Sequence, residues 1–197
     1  MIGGGRKDAG RWHLRTPAII PALSRGGMKH AVTGTKRMPT DLTPIPSSVL
    51  TIRFQDCDPF NHLNNGRYVD YFLNAREDQL LEHYDLDIYK IVRETGLCWV
   101  VSTNQLAYFR PAITMEKVLI ETQLIAWSPK HVQVEMRMWD EKKTVLKCFC
   151  WIGLIHFDLK QSKVATHSEE FVALFQRVHT PVVEKSFDER LGALKKA

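Results

Sequence analysis

SSVLTIRFQDCDPFNHLNNGRYVDYFLNAREDQLLEHY, residues 47–84, carries two hydrophobic periods on either side of one polar loop. In its first part Leu50, Ile52 and Phe54 alternate with Val49, Thr51, Arg53 and Gln55, which predicts a strand from Ser47 ending near Asp56. In its last part, residues 66–84, Val69, Phe72, Leu73, Leu80 and Tyr84 fall on one face of a helix, with Asn64 or Asn65 as its N-cap. The loop between them runs through Pro59, Asn61 and Asn64.

Downstream, four segments read as strands: 97–110, 116–127, 130–140 and 143–158. The middle two alternate most clearly, through Val118, Ile120, Thr122 and Leu124 and then Val132, Val134, Met136 and Met138. Ser128-Pro129 and Glu141-Lys142-Lys143 are hairpin-sized connections, so neighbouring strands must pair antiparallel, a parallel crossover needing a dozen residues or more. A helix around 168–178 is expected to finish the domain. Strand, long helix and four consecutive strands make an α+β arrangement, in which an antiparallel sheet covers its apolar face with one amphipathic helix.

Upstream the character changes. Residues 1–37 hold eight Lys/Arg against Asp8 alone, so the net charge of +5 leaves 38–197 at −2. The reading is a disordered basic leader, 1–37, before a single domain, 38–197. An over-extended start, with initiation at Met28 or Met38, fits it better than a transit peptide, because no amphipathic helical pattern is present; an expression remnant is the third option. A near-neutral body without a basic stripe argues against nucleic acid as a partner. A role in RNA or DNA binding through 1–37 would predict affinity that vanishes on trimming to Met38 and falls steeply with salt. No apolar run approaches the ~18 residues that span a bilayer, so no membrane is expected. Four cysteines, with Cys148-x-Cys150 off thiolate-hairpin spacing, point to a reducing, cytoplasmic setting.

The densest polar cluster is Asp56-Cys57-Asp58-Pro59-Phe60-Asn61-His62-Leu63-Asn64-Asn65, where the strand leaves the sheet and the helix begins. A helix N-terminus presents backbone N–H groups without partners and the positive end of the macrodipole, so it can hold a developing oxyanion. A carboxylate just upstream is placed to activate water or to attack a polarised carbonyl. Blander readings attach to each residue: Asp58 as a turn cap before Pro59, Asp56 as structural, His62 as support for Asp58, and Asn64 and Asn65 as helix caps. Asp56, Asp58 and His62 lack further ligands at metal spacing, so neither metal nor cofactor is expected. Serine hydrolase and phosphate-loop signatures are absent, and Cys57 between two acids has its thiolate disfavoured.

DCDPFNHLNNGRYVDYF resembles the signature of the 4-hydroxybenzoyl-CoA thioesterase family of hotdog proteins, a D-x-D-x-x-x-H/I-x-x-N/Y-x-x-Y pattern that enters a central helix. The likeness continues through Val101-Ser102-x-Asn104 and Tyr108-x-x-Pro111-Ala112-x-x-x-Glu116-x-Val118-x-Ile120-x-Thr122. It covers about residues 47–160. It implies a hotdog fold, an antiparallel sheet of about five strands wrapped around the long helix. It further implies hydrolysis of acyl-CoA by a homodimer or homotetramer whose site straddles the subunit interface. By position, Asp58 matches the family's catalytic aspartate, the backbone N–H of Asn65 the group that polarises the thioester carbonyl, and Tyr68 a tyrosine beside the pocket. His62 matches a position where only some members carry histidine; Asn64 and Gly66 fall beside the substrate. Arg67, Arg110 and Lys130 are candidates for holding CoA phosphates. The rival readings are an acyl-carrier-protein thioesterase, a non-catalytic acyl-thioester-binding dimer, and a dehydratase, whose G-D-x-N-P-x-H string is missing.

Overall fold

The computed structural model of the chain describes residues 42–196, so the leader assigned to 1–37 lies outside the described residues. β1 runs Ser47–Thr51, short of the expected end near Asp56. The cause is Arg53, whose N–H donates to the Tyr71 hydroxyl (2.8 Å) and not to a neighbouring strand, after which Phe54–Asp56 coils into a 3-10 turn.

A second 3-10 turn, Asn65–Arg67, leads into α1, Tyr68–Tyr84. The buried stripe of α1 is Tyr68, Tyr71, Phe72, Ala75, Gln79 and Tyr84, whereas Val69, Leu73 and Leu80 of the expected face are only half-buried. Gln79 earns its place by hydrogen bonding: its amide donates to Ser48 Oγ and the Ile120 carbonyl (3.0 Å each) and accepts from Thr122 Oγ1 (2.5 Å). Satisfied in this way, a buried amide does not carry the desolvation penalty of an unpaired one. A helix absent from the sequence reading follows: α2, Ile88–Thr95, capped by Asp87, which accepts from Lys90 N–H (2.8 Å), and closed by Gly96 at φ +81°.

The four long strands are β2 (Leu97–Tyr108), β3 (Lys117–Trp127), β4 (His131–Asp140) and β5 (Leu146–Asp158). They pair antiparallel in the order β1-β3-β4-β5-β2, with a two-residue β6 (Lys163–Val164) on β5. The inner face curls around α1, packing Ile120, Met136, Met138, Cys150 and Ile152 in one core with Phe72 and Ala75. Where β2 meets β5 the register shifts between Val101 and Thr103, opposite Gly153, and a Cβ on Gly153 would collide with Thr103 Oγ1. Gly153→Ala is expected to cost about 1–3 kcal/mol in urea unfolding, with Thr103→Ala restoring part of it.

The helix expected at 168–178 is α3, Glu169–Val178, but it does not finish the domain. The chain crosses to the outer face of the sheet and forms α4, Phe187–Leu194, opened by Ser186 accepting from Glu189 N–H (3.2 Å). The outer face needs this cover because β3 and β5 place Ile125, Phe149 and Trp151 on it; Phe187 stacks on Phe149 with ring centroids 4.8 Å apart. No described helix is long and apolar enough to cross a membrane.

Under α3 the rings of Trp99, His156 and His167 pack together, with His156 fully buried. His167 Nε2 accepts from Trp99 Nε1 (3.1 Å) while its Nδ1 faces the Ser128 carbonyl (3.1 Å), an arrangement that suits the neutral ring. Burial pushes both imidazoles below their ordinary 6.5. The unfolded chain therefore takes up protons first on acidification, so stability complete above about pH 6.5 is lost as pH falls toward the depressed native values. Melting temperature should drop between about pH 7.5 and about 5.5, and His156→Phe should shrink that drop. An equal drop in the variant would assign the loss to other groups.

Candidate active site

Residues 56–64 form a short hairpin. Asn64 N–H donates to the Asp56 carbonyl (2.9 Å), Cys57 pairs with Leu63, and Asp58 N–H donates to the His62 carbonyl (2.7 Å). Side chains alternate across such a ribbon, so Leu63 (2% exposed) and Cys57 turn into the core while Asp56, Asp58, His62 and Asn64 share the other side. The outer arm is held against the approach to β3: His62 bridges Ile113 and Leu63 N–H donates to the Ala112 carbonyl (2.8 Å). Asn61 takes the sharp tip at φ +67°, a backbone region Asn tolerates better than most residues.

Asp58 is half-buried and anchored by one oxygen only. Its Oδ1 accepts from Phe60 N–H (2.9 Å) and His62 N–H (3.0 Å), while Oδ2 has no partner among the described residues. The support that His62 lends to Asp58 thus comes from its backbone amide; the imidazole itself is exposed. Asp56 turns its carboxylate back to α1, accepting from the Tyr71 hydroxyl (3.0 Å) with Arg67 Nε at 3.8 Å.

At the helix entrance Asn64 Oδ1 accepts from Gly66 N–H (3.0 Å) and the Asn64 carbonyl accepts from Arg67 N–H (2.8 Å). These two bonds leave the amide of Asn65, first residue of the turn, without an acceptor among the described residues. Asn64 lies two residues of ribbon from the level of Asp58, about 7 Å of strand rise. A carboxylate oxygen and an N–H, each without a partner among the described residues, thus lie on the one hairpin-to-helix segment.

Tyr68 is buried (2% exposed); its hydroxyl accepts from Ala112 N–H (3.1 Å), and burial raises its pKa. Tyr108, to which the sequence reading gave no role, packs edge-on against Tyr68 (5.1 Å) and donates its hydroxyl to the Asn65 carbonyl (3.0 Å), so it holds the turn that carries the free amide. The signal for it was the tyrosine three residues before Pro111. Arg67 sits at the helix entrance but is paired with Asp70 (3.0 Å). Arg110 follows β2 and is exposed. Lys130 is exposed in the turn between β3 and β4, at the opposite end of the 11-residue β3 from the hairpin, about 36 Å of strand away. Of the three, Lys130 is not brought to the site within one chain.

Residues 52–175 match the family model described as the Thioesterase-like superfamily. No curated protein matches. Among solved structures, DHNA-CoA thioesterase from Staphylococcus aureus superposes with a TM-score of 0.62 at 17% identity, over 68% of this chain and 90% of that one. SAV2348 from the same organism, solved in complex with CoA, gives 0.65 at 11% identity, over 76% and 94%. YbaW, a probable thioesterase from Escherichia coli, gives 0.58 at 22% identity, over 68% and 98%. At these identities the neighbours speak for the fold, and the family model speaks for descent. The chain belongs to the Thioesterase-like superfamily and carries the hotdog fold.

Proposed function

We propose that the protein hydrolyses acyl-CoA thioesters as a cytoplasmic homodimer. The observation that carries the reading is the pairing of an anchored carboxylate with a free oxygen, Asp58 Oδ2, and an unsatisfied helix-entrance amide, Asn65 N–H. The thioester carbonyl oxygen accepts from Asn65 N–H, which stabilises the oxyanion as the carbon becomes tetrahedral. Asp58 takes the proton of the attacking water, the C–S bond breaks, and that proton passes to the departing CoA thiolate. Direct attack by Asp58 on the acyl carbon, with loss of the CoA thiolate, would instead form a mixed anhydride; label in Asp58 after single-turnover hydrolysis in 18O water marks that route, water then attacking the Asp58 carboxyl carbon. The CoA bound to the structural neighbour SAV2348 supports the choice of thiol.

The dimer is argued from the surface. Among the described residues β2 bonds to β5 on one side only, and residues 100–105 along it are exposed. Such an edge is a template for pairing with a second copy across a two-fold axis. Exposed apolar side chains surround the hairpin and this edge: Phe60 (79% exposed), Phe54, Ile113, Met115 and Val101. Clusters of this kind mark interaction surfaces. The outer face of the sheet is occupied by α4, which favours a dimer over a tetramer built by stacking sheets.

Thiol release from a panel of short, long and aromatic acyl-CoA esters tests the proposal on the full chain, with sedimentation to read the assembly. Turnover of at least one ester by a dimer is the expected result. Failure on every ester would sink the acyl-CoA assignment.

A further inference from the structure

A cavity of about 340 Å³ runs between the C-terminal half of α1, the inner face of the sheet, α2 and α3. Its wall is almost wholly apolar, with Leu80, Val134, Met136 and Leu154 among the lining, and the exposed Tyr89 and Val101 bring its rim to the surface. That volume is at the small end for a ligand site; at ~30 Å³ for each water-sized group it has room for roughly ten. Into this wall α1 sets one cation, Arg76.

Arg76 is held from behind. Its Nη1 donates to Thr122 Oγ1 (2.9 Å), which in turn donates to the fixed amide of Gln79, and its guanidinium lies 5.8 Å from the Tyr84 ring centre. No carboxylate among the described residues forms an ion pair with it. Glu77, the one acid in the lining, accepts from the Tyr89 hydroxyl (2.6 Å). Guanidinium stays charged in proteins, and a half-buried cation facing hydrocarbon without a counter-charge is costly unless a ligand supplies one. Arg76 is also 11 residues along the helix from Asn65, about 16 Å of rise, so the cavity's polar end is separate from the thioester site.

We propose that this cavity binds an aliphatic chain ending in a carboxylate, with the chain against the apolar wall and the carboxylate on Arg76. Two sources share that chemistry: a free medium-chain acid, and the distal carboxylate of an ω-carboxyacyl thioester on its way to Asp58. Binding is read without turnover, so it stands or falls apart from the assignment of Asp58.

Calorimetric titration of the full chain with decanoate and with decan-1-ol, both below micelle-forming concentrations, is the test. Decanoate should bind at least about tenfold more tightly than the alcohol. Arg76→Gln should remove that preference while leaving alcohol binding intact, and Arg76→Lys should keep part of it. Val92→Phe, which retains Arg76 but fills the lining, should weaken both ligands and serves if Arg76→Gln does not fold. Asp58→Asn should bind decanoate like wild type. Equal binding of acid and alcohol, binding of neither, or decanoate affinity unchanged in Arg76→Gln or Val92→Phe would overturn the proposal. Comparing hydrolysis of decanedioyl-CoA and decanoyl-CoA then separates the sources. If Arg76→Gln selectively lowers kcat/KM for the diacid ester, the occupant is substrate; if it leaves the ratio unchanged, the occupant is the free acid.

Discussion

Asp58→Asn should lower kcat for acyl-CoA hydrolysis by about 10³-fold, with KM within a few-fold of wild type and unfolding free energy changed by less than about 1 kcal/mol. The replacement is chosen for what it keeps. An amide oxygen at the Oδ1 position still accepts from Phe60 and His62 N–H, the two bonds that shape the hairpin tip. What it removes is the charge and basicity of the free oxygen, which the proposed chemistry needs. Asp58→Ala loses both bonds as well, so it should lose activity equally and also loosen the loop, at roughly 1 kcal/mol for each neutralised contact. Equal inactivity with unequal stability would place the effect in the chemistry. Near wild-type turnover by Asp58→Asn would mean that another group activates the water.

Arg190→Met should destabilise the protein by about 3 kcal/mol, seen as a lower urea midpoint at unchanged slope. Glu135 is fully buried on the outer face of the sheet and takes two hydrogen bonds from Arg190, at 2.8 Å from Nη2 and 2.9 Å from Nε. The methionine keeps much of the side chain's apolar bulk but leaves a buried carboxylate without its main counter-charge. The loss sits at the low end for a broken buried pair because Trp151 Nε1 (2.9 Å) and Arg137 Nε (3.6 Å) remain. Glu135→Gln combined with Arg190→Met should recover part of the loss, since the residual charge is then gone. Activity at low temperature should persist, because α4 lies on the outer face, away from the hairpin and α1. A loss below about 0.5 kcal/mol, the level of an ordinary surface substitution, would mean that α4 is not docked on Glu135 in solution.

Most of the inner architecture was legible from residues 47–158 because each signal is local. Short connections at Ser128-Pro129 and Glu141-Lys142-Lys143 require antiparallel neighbours, and β3 and β4 lie within a residue of the expected segments. Two helices absent from the sequence expectations carry local end signals. α2 stands between a capping Asp87 and a left-handed Gly96, and α4 follows Ser186-x-x-Glu189, whose Ser accepts from Glu189 N–H while the Glu side chain accepts from Lys185 N–H (2.8 Å). Both are only eight residues long, about two turns, too short for an apolar period to repeat more than about once. The expectations for Asp58 and Asn65 came from the resemblance and from the strand-to-helix junction; the sequence could not show that, among the described residues, Asp58 keeps one oxygen free or that Asn64 satisfies the amides of Gly66 and Arg67 while sparing that of Asn65.

By itself, then, the sequence determined the α+β class, the antiparallel order of consecutive strands and the place where polar chemistry gathers, since these follow from side-chain period, loop length and helix-end hydrogen bonding along one stretch of chain. Only the tertiary structure decided that Gln79 is core, that Glu135 is buried beneath α4, and that Arg76 faces hydrocarbon. Each of those depends on partners 16 to 55 residues away or on a cavity wall drawn from seven elements. A polar side chain is buried when distant groups satisfy it, and that satisfaction has no period to read.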